Sequence, residues 1–194
     1  MDFQFKSISV EKEHIGIAFC DSKLRLLGYA KKLDQLSKKH ISSQLKSDLS
    51  FLNRKSKQFD YCVIHNPDNL KLSKLYIFKL KDYNNYSIRD FQILGGHLRS
   101  LISFYQEDKV GIYPDGVISK KVSFINGISE MLIGSLLASY KFNKYKKINN
   151  KDDKIKKPSK VKIYSSSHSR LEKNYINVEA VSEGTALTRN LVTE

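Results

Sequence analysis

Leu75-Tyr76-Ile77-Phe78-Lys79-Leu80, then Ser87 to Tyr105, then Lys109-Val110-Gly111-Ile112-Tyr113 is the stretch that decides the fold. The first piece is a short apolar run rich in aromatic and β-branched residues, which reads as a buried strand. In the second, Ile88, Phe91, Leu94, Leu98, Leu101 and Tyr105 recur near the 3.6 period of a helix. Ser87 with Asp90 three residues on resembles a capping box with Asp in the Glu position. Gly95 and Gly96 inside the helix cost ~1 kcal/mol each against Ala, so they predict close packing on a neighbour. The third piece is a strand that stops at Pro114-Asp115-Gly116, a turn signal. Strand, helix and strand in succession is the unit of an α/β domain.

Upstream, Phe59 to His65 (FDYCVIH) is a second clear strand, and Asn66-Pro67-Asp68-Asn69 before Leu75 predicts an antiparallel ribbon. Tyr29 to Leu52 places Leu33, Leu36, Ile41, Leu45 and Leu49 at helical spacing, as one broken helix or two short ones. Phe3 to Val10 alternates like a strand, and His14 to Cys20 reads as a more buried one. Downstream, Ser123 to Tyr140 is a strong helix, with Ile125, Ile128, Leu132, Leu136 and Tyr140 on one face. Lys160 to Ser165 is a strand. Ser169 to Val192 holds a last helix, with Ala180, Gly184, Leu187 and Leu191 on one stripe. Helices and strands alternate after residue 59, which predicts an α/β fold with a mixed central sheet flanked by helices. There is no internal repeat.

The 194 residues are 40% hydrophobic and 11% aromatic, enough for one real core. No apolar run approaches the ~18 residues of a membrane span, and Met1 to Phe5 lacks the basic start of a signal peptide. Cys20 and Cys62 do not make a disulfide framework or a four-ligand zinc site. A soluble, cytoplasmic protein without membrane partners is expected. The net charge of +14 points to nucleic acid. However, 28 of the 34 cations are lysine and only 6 arginine, a poor balance for specific readout of bases. An AT-rich coding sequence produces the same lysine excess. Ten lysines and two aspartates between Lys141 and Lys162 carry +8 of the +14, in a solvated lysine-rich loop at about 141–160. Tyr140, Phe142 and Tyr145 interleave with these lysines, as base-stacking aromatics do. They also continue the apolar stripe of the preceding helix, and sealing its end is the preferred reading.

No catalytic, cofactor-binding or metal-binding residue stands out. His14, His40, His65, His97 and His168 show no ligand spacing. Cys62 and His65 are three apart on a strand and so point to opposite faces. Both cysteines read as buried, inert thiols. Gly95-Gly96 is not a phosphate loop. Glu107-Asp108 and Asp152-Asp153 fall in solvated loops, where paired carboxylates do no acid–base work. Ser165-Ser166-Ser167-His168 sets hydroxyls beside a histidine, but a nucleophile needs a base and an oxyanion hole brought from across the fold.

Two segments carry a resemblance. Gly134 to Lys146 (GSLLASYKFNKYK) resembles the E-G-x-x-L-G-x-Y-x-F-x-x-Y-K stretch that closes the amino-terminal domain of leucyl aminopeptidases, the cytosol aminopeptidase family. Val181 to Glu194 (VSEGTALTRNLVTE) resembles that family's helix ending in A-R-D-L-V-N-E-P, which leads into the catalytic domain. Ile133 stands where the family has Glu, Ala138 where it has Gly, and Leu80-Lys81 where G-L-G is common. Thr188, Asn190 and Thr193 replace Ala, Asp and Asn. The resemblance implies a macro-domain-like α/β unit over residues 1–165, followed at 166–194 by a linker and helix leading to an absent catalytic domain. It implies a bacterial parent enzyme that removes amino-terminal residues, commonly leucine, and forms hexamers of two stacked trimers. Its two divalent ions (Zn, Mn or Mg) would sit in that absent domain, so this chain alone is expected to be inactive. The implied partners are its own catalytic domain and neighbouring subunits. The stripe Ala180, Leu187 and Leu191 is expected to be partly exposed without them. The alternative is a basic nucleic-acid-binding α/β module with weak, non-specific DNA binding. A third reading, an ADP-ribose-type ligand domain, rests on fold analogy alone, and the Gly-rich loops and Asp/Asn of such sites are not recognisable here.

Overall fold

The computed structural model describes residues 2–9, 13–48, 59–105, 109–140 and 160–193. Along the chain, β1 is Asp2–Lys6, β2 Glu13–Asp21, α1 Ala30–Leu36, α2 His40–Ser47, β3 Phe59–His65 and β4 Leu72–Leu80. A 3-10 turn at Tyr83–Asn85 precedes α3, Ile88–Tyr105. Then come β5 Lys109–Ile112, α4 Phe124–Ser139, β6 Lys160–Tyr164 and α5 His168–Thr193. The six strands form one sheet in the order β1-β6-β5-β2-β4-β3. Every neighbouring pair is parallel except β3 with β4. The sheet is therefore mixed, as expected, and β3–β4 is the antiparallel ribbon read from Asn66-Pro67-Asp68-Asn69. Asn66 and Asn69 take the left-handed conformation there, which Asn tolerates.

Side chains on a strand alternate between faces, and both faces of this sheet are covered. Ile15, Ile17 and Phe19 of β2 and Tyr76, Phe78 and Leu80 of β4 join one core with α3, α4 and α5. Ala18 and Cys20 of β2 and Leu75 and Ile77 of β4 join a second with Leu33 of α1 and Ile41 and Leu45 of α2. The predicted break in the first helical segment is real. Lys38 and Lys39 have φ of 51° and 65° between α1 and α2, and no helix passes through two left-handed residues.

The capping box at α3 forms. The Ser87 N–H and Oγ donate to Asp90 Oδ2 at 2.9 and 2.7 Å, and the Asp90 N–H donates to Ser87 Oγ at 3.4 Å. Of the two glycines in α3, only Gly95 is required by packing. A Cβ there would lie 1.9 Å from the Met131 carbonyl oxygen of α4, and one on Gly134 would lie 2.0 Å from that of Gln92. Gly96 meets nothing closer than Ala138 Cβ at 3.9 Å, so the expectation that it too marks close packing is corrected.

One further expectation changes. β1 ends at Lys6, short of the strand read to Val10. In α5 the buried face runs through Leu171, Val178 and Ser182, with Tyr175 against Phe3 and Phe5. The stripe of Ala180, Gly184, Leu187 and Leu191 faces outward, and the exposure expected of Ala180, Leu187 and Leu191 is met. Leu49, Leu52, Glu107-Asp108, Phe142, Tyr145, Asp152-Asp153 and nearly all of the lysine-rich loop lie outside the described residues.

Candidate functional site

In an open α/β sheet, ligands bind beyond the carboxyl ends of the strands, where neighbouring connections leave in opposite directions. Here that point lies between β2 and β5. From β2 the chain leaves through α1 and α2 toward β3 at one edge, while β5 leads through α4 to β6 on the other side. The loops above it are Asp21–Tyr29 and Tyr113–Gly116, and the chain itself fills the crevice between them. The Leu27 N–H donates to the Phe19 carbonyl at 2.9 Å, and the Tyr113 N–H to that of Ile17 at 2.9 Å. Gly28 and Gly116 have φ of 47° and 94° and lie backbone against backbone. A Cβ on Gly28 would fall 1.5 Å from the Asp115 carbonyl oxygen. Tyr164, Tyr113 and Tyr29 stack in a row beside this contact, with centroids 5.1 and 5.6 Å apart. A ligand laid across the sheet ends at this point would displace main chain.

The Ser165-Ser166-Ser167-His168 run has a structural job. Asp115, in the turn after β5, accepts from Ser165 Oγ at 2.5 Å and from the Ser166 N–H and Oγ at 3.0 and 2.8 Å. The Ser167 N–H donates to Ser165 Oγ at 3.1 Å. His168 Nδ1 lies 3.3 Å from the Ser165 carbonyl oxygen. The carboxylate thus pins the start of α5 to the end of β5, and the His168 ring meets a carbonyl oxygen and not a serine hydroxyl.

His40 Nδ1 accepts from the Asp68 N–H at 3.2 Å and lies 3.3 Å from its carboxylate. His65 is exposed and Cys62 buried, on opposite faces as read. Burial pushes the Cys20 thiol up to about 12, with Asp21 adding to the effect. Cys20 pairs across the sheet with Lys79, and Lys79 with Asp60. Cys62 therefore sits two strands from Cys20, about 10 Å away by strand spacing, too far for a disulfide. Among the described residues no three His, Cys, Asp or Glu side chains converge as a metal site would require.

A concave feature lies elsewhere. A groove of about 680 Å³ lies between the loop after β2 and the α1–α2 corner. Lys23 and Arg25 line it from the loop, Lys31 and Lys46 from the helices, and Lys39 from the corner between them. Half of its ten lining residues are Lys or Arg, against 34 of 194 in the chain, so it is a local concentration of charge. The one carboxylate in its lining, Asp34, accepts the Ser42 N–H at 2.8 Å and fixes the corner. Arg25 Nε donates to Asp21 Oδ2 at 2.6 Å, with the arginine side chain still 73% exposed. Burial would raise the Asp21 carboxyl. The N–H groups of Arg25 and Lys23 and the guanidinium outweigh burial and hold it below the usual range. Sequence reading missed this site because its cations are scattered over 24 positions and meet only through the left-handed corner at Lys38-Lys39.

The two segments that carry the sequence resemblance touch. The Tyr140 hydroxyl, just after α4, donates to Asn190 Oδ1 near the end of α5. The Arg189 guanidinium lies 5.7 Å from the centroid of the Tyr140 ring. Tyr140 is thus engaged in packing α5.

No known family's sequence profile matches the chain, and no curated protein resembles it in sequence. Solved structures do resemble it in fold. A tomato leucine aminopeptidase variant superposes with a TM-score of 0.62 at 16% identity, over 100% of this chain and 38% of that one. The bottromycin maturation enzyme BotP gives 0.57 at 11%, over 93% of this chain and 32% of its own. The macrodomain of Thermus aquaticus DarG gives 0.56 at 8%, over 84% of this chain and 97% of its own. At these identities the likeness is one of fold. The chain spans about a third of the two enzymes it matches and has a macro-domain-like α/β architecture.

Proposed function

We propose that this chain is the non-catalytic amino-terminal domain of a cytoplasmic, metal-dependent leucyl aminopeptidase. The parent removes amino-terminal residues, commonly leucine, from peptides. The observation that carries the reading is the Tyr140–Asn190 contact, because it joins the two stretches whose motifs resemble that family. The tomato enzyme's match over the whole chain supports it, since the macrodomain's stops at 84%. In this reading the two divalent ions, zinc, manganese or magnesium, belong to the catalytic domain that follows α5. The hexamer forms through the full-length subunits.

Two measurements test it. Sequencing the source reading frame past codon 194 is expected to reveal about 300 further residues, some two domains' worth. They should carry the lysine, aspartates and glutamate of a two-metal site. The 194-residue chain should release no p-nitroaniline from leucine p-nitroanilide with zinc, manganese or magnesium added. A stop codon after Glu194 overturns the reading, as does turnover by the isolated chain.

Weak, sequence-independent DNA binding remains the second reading, supported by the net charge of +14. It predicts duplex binding at low salt that is lost by ~200 mM. The ADP-ribose reading loses support from the filled crevice at Gly28 and Asp115, and calorimetric titration with ADP-ribose should give no heat.

A further inference from the structure

The groove between the loop after β2 and the α1–α2 corner is independent of the aminopeptidase reading, and its chemistry is that of an anion site. Its volume of about 680 Å³ falls within the ~300–1,000 Å³ of small-molecule pockets. Lys23, Lys31, Lys39 and Lys46 make no ion pair among the described residues, so their charge is available to a ligand. Holding like charges together in one concavity costs Coulomb energy that a bound anion would relieve. Arg25 is oriented by Asp21 and keeps guanidinium N–H groups beyond the bonded Nε for a second acceptor. Lys39 enters from a left-handed backbone position, a conformation that costs ~1–2 kcal/mol for a residue with a Cβ. The corner is held by the Asp34–Ser42 hydrogen bond.

We propose that this groove binds a compact, multiply charged phosphate group, a di- or triphosphate. Cations contributed from both walls suit an anion small enough to touch both at once. A duplex presents its phosphates along a convex surface, and only a few of them could enter such a concavity. The same triphosphate chemistry comes from inorganic polyphosphate or from a nucleotide, and the ligand arms below separate the two.

The experiment is calorimetric titration of the 194-residue chain with inorganic tripolyphosphate and with a nucleoside triphosphate, free of divalent metal, at low salt. Both are expected to bind at one site. Equal affinities assign the site to the phosphates alone, and a tighter nucleotide adds a base contact. The triple variant Lys31→Gln, Lys39→Gln, Lys46→Gln should weaken tripolyphosphate by at least about tenfold. Lys71→Gln, Lys120→Gln, Lys121→Gln removes the same charge from exposed positions outside the groove and should change affinity by less than about twofold. Asp34→Asn removes the negative charge from the lining while its Oδ1 still accepts the Ser42 N–H, and should tighten binding by about threefold. Circular dichroism melts without ligand should show all three variants folded, because the groove lysines are surface residues. Equal weakening in the two triple variants would reduce the effect to net charge and overturn the site. So would the absence of saturable binding, or a duplex that binds through these lysines while tripolyphosphate does not.

Discussion

Helices α4 and α5 lie side by side and run the same way, as the Asn174–Ser129 and Tyr140–Asn190 contacts show, yet they use their apolar residues oppositely. In α4, Ile128, Met131, Leu132 and Ile133 are all buried, and Gly127, Gly134 and Ser135 sit among them. That helix is apolar nearly all round because α3, α5 and the sheet surround it. In α5, burial ends at Ser182. Beyond it Leu187, Leu191 and Val192 are 60%, 65% and 83% exposed. The first half of α5 is thus held by this domain's core. The second half is held at the Tyr140–Asn190–Arg189 junction, with an apolar face to spare. Ile176, Val181, Leu187 and Leu191 of that helix are more than half exposed.

Truncation separates the halves with the largest expected effect. Ending the chain after Arg170 removes Leu171, Tyr175 and Val178 from the core and should leave no cooperative thermal transition, at ~2–5 kcal/mol per large side chain lost. Ending it after Ser182 should cost only about 1 kcal/mol in a urea melt, since what goes is largely exposed. Equal losses would mean that the domain does not distinguish the halves.

Gly134→Val attacks α4 itself. Its Cβ would meet main chain of α3 at 2.0 Å, where no side chain can swing aside, so a cost of about 3 kcal/mol is expected from urea denaturation. A small effect would mean that the α3–α4 crossing is looser than the backbone contact implies. Asp115→Ala comes next, at about 2 kcal/mol in the same assay. It strips three hydrogen bonds from the start of α5 and leaves a buried serine hydroxyl without its acceptor. Acid should produce a smaller, related loss at Asp21. A carboxyl held below its usual range in the folded state stabilises above the unfolded value of ~3.9, and that stability goes as pH falls through the folded value. Asp21→Asn should therefore flatten part of the melting curve's decline below about pH 4.

What was legible in the sequence was what depends on near neighbours. Ser87 with Asp90 and the β3–β4 ribbon at Asn66-Pro67-Asp68-Asn69 follow from local backbone preferences, and the apolar runs of β2 and β4 mark strands covered on both faces. Contacts between distant segments left no such trace. Nothing local marks Gly28 as lying against Asp115, or Lys23 as sharing a groove with Lys46. The choice of buried face in α5 has the same origin. Ala180, Gly184, Leu187 and Leu191 form a good helical stripe, but so do Leu171, Tyr175, Val178 and Ser182, and only the position of Phe3 and Phe5 on β1 decides which stripe meets the core.

Gly184→Ala gives the finest test. Nothing lies within 4 Å of a Cβ at Gly184, so the substitution changes only helix propensity, worth about 1 kcal/mol. That gain reaches the global melting temperature only if the second half of α5 unfolds together with the core. If it frays as a separate local unit, the gain is spent on local helix formation. The expected result is a rise in helical ellipticity at 222 nm with a melting temperature changed by less than about 2 °C, against the roughly 4 °C that 1 kcal/mol would give if coupled. Adding Asn190→Ala should abolish part of the ellipticity gain, because Tyr140 then no longer holds the helix end. A full 4 °C rise would show instead that the Tyr140 junction couples the whole helix to the core, and the contrast between its two halves would then be one of exposure and not of stability.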